Sequence, residues 1–343
     1  MRSRARDVLL LLAALALALL AADRGAAWFM SRPPKKFPDS RFSHERFLAN
    51  SLGNRDFEYP VEKPPRTFRV IAIGDSFTYG RGASFDDVWS KRLERYLYDY
   101  GNVKGQRYEV LNWGHPGVST PFEVETLKKD ARRYGADVIV LGYCLNDAEE
   151  EVGKRSDFLS RLRQRTVHLD FEKGQGLNAW LYDHWALYRF VRQRIFNTER
   201  NRGHLAYYRE LYRDDYVGWG DTRAAIAELG TFRRESGIPV VVMIFPLLSW
   251  DLDDRYPFRG IHARLHRELK QAGLPFLDLL TAYRGLDHEV LEAVPYQDPH
   301  PSDVAHRIAA EEMYVFLTKR GLLPRGEPIA ATQVDRRLPP PWR

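Results

Sequence analysis

One cysteine in 343 residues leaves no intrachain disulfide and no cysteine-based metal site to be built. Cys144 falls in a predicted buried strand and reads as a small core hydrophobe. No Gly-Lys-Ser/Thr follows the glycines between 74 and 82, which argues against a phosphate-binding loop. Charge of neither sign is gathered into blocks: 52 Lys and Arg are interspersed with 46 Asp and Glu, for a net charge of +6. With no nucleic-acid-binding motif beside that charge, nucleic acid is not expected as a partner. A mixed, solvated surface accounts for it, and weak attraction to anionic polysaccharide or lipid headgroups is the other reading. The histidines are scattered and no pair shows metal-ligand spacing with a third partner, so neither a metal nor a cofactor is expected. There is no internal repeat.

Long apolar runs are also absent, with one exception. Arg2, Arg4 and Arg6 precede an unbroken apolar stretch over 8–22, broken at Asp23 and Arg24. The stretch is long for a signal-peptide core and short of the ~20 residues of a spanning helix. Small residues at Ala21, Ala22, Ala26 and Ala27 suit cleavage; an uncleaved anchor is the alternative and is preferred. Either way residues 1–30 are a targeting segment that places the rest outside the cytoplasm, in the periplasm or cell envelope, tethered to the inner membrane if the anchor is kept. The proline-rich stretch 31–66 reads as a spacer or edge-hugging arm. Residues 67–322 form the main domain, and a Pro- and Arg-rich flexible tail covers 323–343.

Within the main domain, apolar runs alternate with helical patterns. Strands are expected at 68–73, 108–112, 137–143, 239–245 and 275–279. Helices are expected at 86–100, 120–134, 221–236, 258–272 and 302–319, the second with Thr120-Pro121 at its start. Buried strands alternating with helices imply a parallel sheet covered on both faces. The fold class is therefore α/β, a flavodoxin-like three-layer α/β/α domain with a five-stranded parallel sheet. Between strands three and four lies an insertion, 151–220, in which Trp180, Trp185, Tyr188 and Phe190 mix with Arg189, Arg192 and Arg194. It reads either as a substrate platform or as a helical pair covering apolar surface.

The first strand runs into Gly74-Asp75-Ser76-Phe77, which places a serine at the carboxyl end of a parallel strand, where open α/β sheets keep their ligand crevice. This stretch resembles the nucleophile block of the SGNH, or GDSL, hydrolases. Asn112-Trp-Gly-His-Pro-Gly117, Leu145-Asn146-Asp147 and Asp298-Pro-His300-Pro-Ser302 resemble its other blocks, in the family's order. The resemblance covers 67–322, although 151–220 belongs to none of its blocks. It implies an SGNH fold and a serine esterase or acyltransferase acting on an acyl ester, with O-acylated carbohydrate as the expected substrate class.

By the same resemblance Ser76 is the nucleophile and His300 the general base. Ser76, Gly117 and Asn146 supply the oxyanion hole. The family places its acid three residues before the histidine, but Gln297 stands there, so Asp298 is the nearest candidate and Asp303 its competitor. The family's Gly-x-Asn-Asp is also altered, because Gly142 is displaced from Asn146. Asp75, His115 and Asp147 are candidate substrate contacts, while His306 is expected to pack on the closing helix. Two alternatives stand: an O-acyltransferase of an exported polysaccharide, and a non-catalytic glycan-binding or assembly protein. Oligomeric state is not expressed in the sequence.

Overall fold

A computed structural model describes residues 2–31, 50–101, 103–150, 156–166, 174–294 and 298–324. In chain order the elements are α1 (Arg2–Met30), β1 (Thr67–Gly74), α2 (Ser76–Tyr79), α3 (Trp89–Tyr100), β2 (Arg107–Gly114), α4 (Thr120–Asp130), β3 (Val138–Cys144), α5 (Asp157–Thr166), α6 (Leu177–His184) and α7 (Ala186–Leu211). They continue with α8 (Val217–Ser236), β4 (Val240–Phe245), α9 (Arg259–Gln271), β5 (Phe276–Asp278), α10 (Leu279–Ala282), α11 (His288–Leu291), β6 (Glu292–Val294), β7 (Asp298–Pro301) and α12 (Asp303–Lys319). The described parts of Met1–Lys36 and Arg155–Leu211 cluster as one compact unit, and those of Phe37–Lys154 and Tyr212–Arg343 as another.

The larger unit is built on a five-stranded sheet in the order β2-β1-β3-β4-β5, every pair parallel. The flavodoxin-like expectation is met, and all five predicted strands are present. Strands β3 and β4 are buried at every residue, which is why they read as unbroken apolar runs rather than alternating ones. Helices α3 and α12 pack together, as do α4 with α8 and α8 with α9. The described end of the 31–66 arm lies against this unit. Asp56 and Lys91 form a buried ion pair at 2.6 Å, Asp56 also accepts from Asn112 N–H, and Arg55 donates to the carbonyls of Gly80 and Ala83. Residues 32–49 of the 31–66 stretch and almost all of the tail expected over 323–343 lie outside the described residues.

Two elements differ from expectation. A separate short helix, α2, starts at Ser76 itself, where no helix was expected before residue 86. A two-stranded antiparallel ribbon, β6 with β7, precedes the closing helix where only a loop was expected.

The smaller unit is helical. Helix α7 is the common partner of α1, α5 and α6. Its second residue, Leu187, donates its backbone N–H to Asp23 Oδ1 at 2.8 Å, and Phe190 meets Phe29 edge-on with ring centroids 5.9 Å apart. The insertion's helices thus belong with the N-terminal helix. Residues 6–30 of α1 are long and apolar enough to cross a membrane.

Candidate active site

Strand β1 and its two neighbours, β2 and β3, come level at three glycines. In the sheet register Gly74 pairs with Gly114 on one side and Gly142 on the other, so the loops that follow emerge side by side. Gly74 is required there. A Cβ on it would lie 2.3 Å from Thr78 Oγ1 and 2.5 Å from the Gly142 carbonyl, so only glycine lets α2 turn back this tightly over the strand ends. Gly142, displaced from its family position, faces the same Thr78 hydroxyl from β3 and takes no part in the Asn146 loop.

Asp75 caps α2: its Oδ1 accepts from Phe77 N–H at 2.8 Å. Ser76 follows as the first helical residue, so its own N–H has no partner within the helix. Its hydroxyl lies 3.0 Å from His300 Nε2. His300 Nδ1 in turn lies 2.5 Å from Asp298 Oδ1, and Phe77 packs beside the imidazole with ring centroids 5.5 Å apart. In the neutral tautomer this network selects, Nδ1–H donates to Asp298 and Nε2 accepts from Ser76. The His300 hydrogen bond holds the Asp298 carboxyl below the usual carboxylate range, against the opposing effect of its partial burial. Asp303, the competing carboxylate, instead accepts from Ser84 N–H at 3.2 Å. The strand β7 is what makes a two-residue spacing sufficient. Extended backbone puts Asp298 and His300 on the same side, since side chains alternate with a period of two.

Gly117 follows β2 in an exposed loop with φ of +79°, a left-handed conformation that leaves its backbone N–H uncrowded by a side chain. Asn146 sits in a short 3₁₀ turn after β3, fixed by Asp147 Oδ2 accepting from Cys144 N–H at 2.9 Å. One N–H of its amide donates to Asp75 Oδ2 at 3.1 Å, which orients the group and leaves the second N–H available.

Asp75 and Asp147, expected as substrate contacts, are corrected by their burial. Both are wholly inaccessible and act beneath the site, one on the helix start and the other on the Asn146 turn. Burial pushes both carboxyls up, and does the same to Glu123, whose two oxygens are buried without a partner. His115 is exposed and lines a cleft of about 410 Å³ with Ile73, Trp113, Val118, Glu123 and Tyr134. His306 is fully buried. Its Nδ1 accepts from Trp89 N–H, and burial first, then nearby Arg55 and Arg92, push its pKa down to about 3.

A second histidine–carboxylate cluster was missed in the sequence. His262 and His266 stand one turn apart on α9, and β5 brings Asp278 to both. His262 Nδ1 lies 2.9 Å and His266 Nε2 2.7 Å from the same Asp278 oxygen, Oδ2. The i,i+4 spacing was visible; the third partner came only with the fold. Among the described residues this is the group whose donor atoms could hold a metal.

A family model for the GDSL-like lipase/acylhydrolase family matches residues 72–308. A search of curated proteins returns no match. Among solved structures, the chain is similar to a two-domain esterase described as active on acetylated mannans, with 13% identity and a TM-score of 0.41 over 77% of this chain and 51% of that one. It is also similar to a family 3 carbohydrate esterase from Clostridium thermocellum (13%, TM-score 0.42, 75% of this chain and 100% of that one) and to a lipase/acylhydrolase from Enterococcus faecalis (15%, TM-score 0.41, 74% and 96%). The chain covers about half the length of the two-domain protein. With the family model matched over more than half its length, the chain belongs to the GDSL-like lipase/acylhydrolase family and is an ester-hydrolysing enzyme.

Proposed function

We propose that the chain is a serine esterase in which Ser76 attacks the acyl carbon, and the Ser76–His300–Asp298 geometry is the observation that carries the reading. The Ser76 proton passes to His300 Nε2 as Oγ bonds to the carbonyl carbon, and Asp298 stabilises the imidazolium that forms. Asp75 Oδ2 is also near the hydroxyl, at 3.3 Å, but it sits inside the protein and already accepts from the Asn146 amide, while the nearer His300 Nε2 takes the one hydroxyl proton. The developing oxyanion accepts from the backbone N–H groups of Ser76 and Gly117 and from the free N–H of Asn146. Collapse expels the alcohol, protonated by His300, and water then releases the acid by the same steps in reverse.

The substrate class we favour is an O-acylated carbohydrate. The cleft beside the Gly117 loop combines Trp113, Phe122 and Tyr134 with Lys129, Asp130 and Arg133, a mixture suited to a polar ring rather than to a long acyl chain. The test is acetate release from an acetylated oligosaccharide and from an aryl acetate by wild type and Ser76→Ala. Turnover of both by wild type and of neither by the variant is expected. An aryl acetate cleaved at the wild-type rate by the variant removes Ser76 from the mechanism.

We further infer that α1 is retained as an anchor. Asp23, Ala26, Ala27 and Met30 are its partly covered positions at one end, at the i, i+3, i+4, i+7 spacing of a single helix face, while the described side chains from Leu10 to Ala22 are exposed. Asp23 caps the start of α7, so cleavage after Ala26 or Ala27 would remove a contact that the insertion uses. On this reading Leu177 and Trp180, both more than half exposed, seat the insertion at the membrane surface, and the enzyme faces the periplasm. Intact-mass analysis of the membrane fraction should find residues 2–30 on the chain. A mature N-terminus between 22 and 28 contradicts retention.

A further inference from the structure

We propose that His262, His266 and Asp278 form a binding site for a divalent ion of the zinc class, clipping α9 to the end of the edge strand β5. The donor set is two imidazole nitrogens and one carboxylate oxygen, which suits zinc and its neighbours rather than calcium or magnesium. The three donor atoms lie within 4.8 Å of one another, and both nitrogens already converge on Oδ2. Metal–ligand bonds of about 2.0–2.2 Å in a tetrahedron put donors roughly 3.4 Å apart. The observed 2.9 and 2.7 Å therefore need to open by only a fraction of an ångström. Each imidazole would bind as the neutral ring through the lone pair of the nitrogen now facing Oδ2, its one proton residing on the other ring nitrogen, and the fourth position would be open to water.

The ligands are held in place before any ion arrives. Asp278 Oδ1 accepts from Leu280 N–H at 2.9 Å, so its other oxygen is turned to the histidines. His266 stacks on Phe276, with ring centroids 4.5 Å apart and planes 23° from parallel, and the His262 side chain is almost wholly buried. The His266 side chain is 30% exposed and gives the route in from solvent.

One carboxylate oxygen can accept from both imidazoles, and the two nitrogens that converge on it are the atoms an ion would use. The strand they hold needs a tie. At three residues β5 is the shortest in the sheet and pairs with β4 alone.

The experiment uses the full chain, stripped with a chelator and titrated with Co²⁺, then Zn²⁺. One equivalent of Co²⁺ should give the visible d–d absorption of a tetrahedral site, Zn²⁺ should bleach it, and Zn²⁺ should raise Tm by several degrees. His266→Gln, at the most exposed ligand, should fold and bind about 100-fold or more weakly. Two results overturn the proposal: wild type showing neither the Co²⁺ spectrum nor a Zn²⁺-dependent Tm, or His266→Gln binding as tightly as wild type. A lower Tm in His266→Gln with no zinc response in wild type also overturns it, and leaves a hydrogen-bonded cluster.

Discussion

His300 and the pair His262/His266 each sit on an aspartate, yet the two arrangements differ at the far side of the ring. The second nitrogen of His300 reaches the hydroxyl of Ser76, whereas that of His262 ends in packed protein with no partner. Asp298 serves one imidazole on a short ribbon that brings it to Ser76 after β1; Asp278 serves two between a helix and an edge strand. A carboxylate orients a histidine in both places. Proton transfer is available only where the ring also touches a group that can use it.

The widest split between the two clusters should come from deleting the hydroxyl or the base. Ser76→Ala or His300→Ala should lower kcat on an aryl acetate by ~10³-fold or more while leaving Tm near the wild-type value. Residual turnover within tenfold of wild type would place the nucleophile elsewhere.

Next in size is the orienting acid. Asp298→Asn should cut kcat by ~10³-fold, since the wrong tautomer then faces Ser76, while Asp303→Asn should change kcat little. The reverse pattern in kinetics would make Asp303 the acid. Asp278→Asn, by contrast, should be read in Tm, with a loss of several degrees from removing the shared partner of one buried and one half-buried imidazole.

Asn146→Ala is expected to lower kcat by ~100-fold with KM nearly unchanged, as for a donor used mainly in the transition state. A KM effect alone would recast it as a ground-state contact.

His306, with neither a carboxylate nor a hydroxyl, supplies the smallest effect and a control. Folded, it titrates at about 3; unfolded, at ~6.5. Between those values the unfolded chain binds the extra proton, so stability present above pH ~6.5 is lost as pH falls toward 3. His306→Asn should flatten that part of the dependence of the urea midpoint on pH. An unchanged slope would mean that His306 opens to water before it charges.

What could be read from the sequence follows how local each feature is. The Gly74–Phe77 turn, the strand ends and Asn146 lie within contiguous blocks, and the parallel sheet follows from alternating buried strands and helices. The β6–β7 ribbon was hidden because Pro299 and Pro301 interrupt a four-residue strand, a composition that normally argues against one. The burial of Asp75, Glu123 and Asp147 ran against the usual exposure of carboxylates. The partnership of α1 with the insertion joins segments more than 150 residues apart, as the Asp23–Leu187 bond illustrates, and no local pattern announces it.

The central claim is that Ser76 is made reactive by His300. A serine-directed fluorophosphonate, followed by peptide mass mapping, tests it most directly. The account predicts a single adduct on the peptide carrying Ser76, formed by wild type and lost in His300→Ala. An adduct on another serine, or labelling of Ser76 at the same rate without His300, would contradict it.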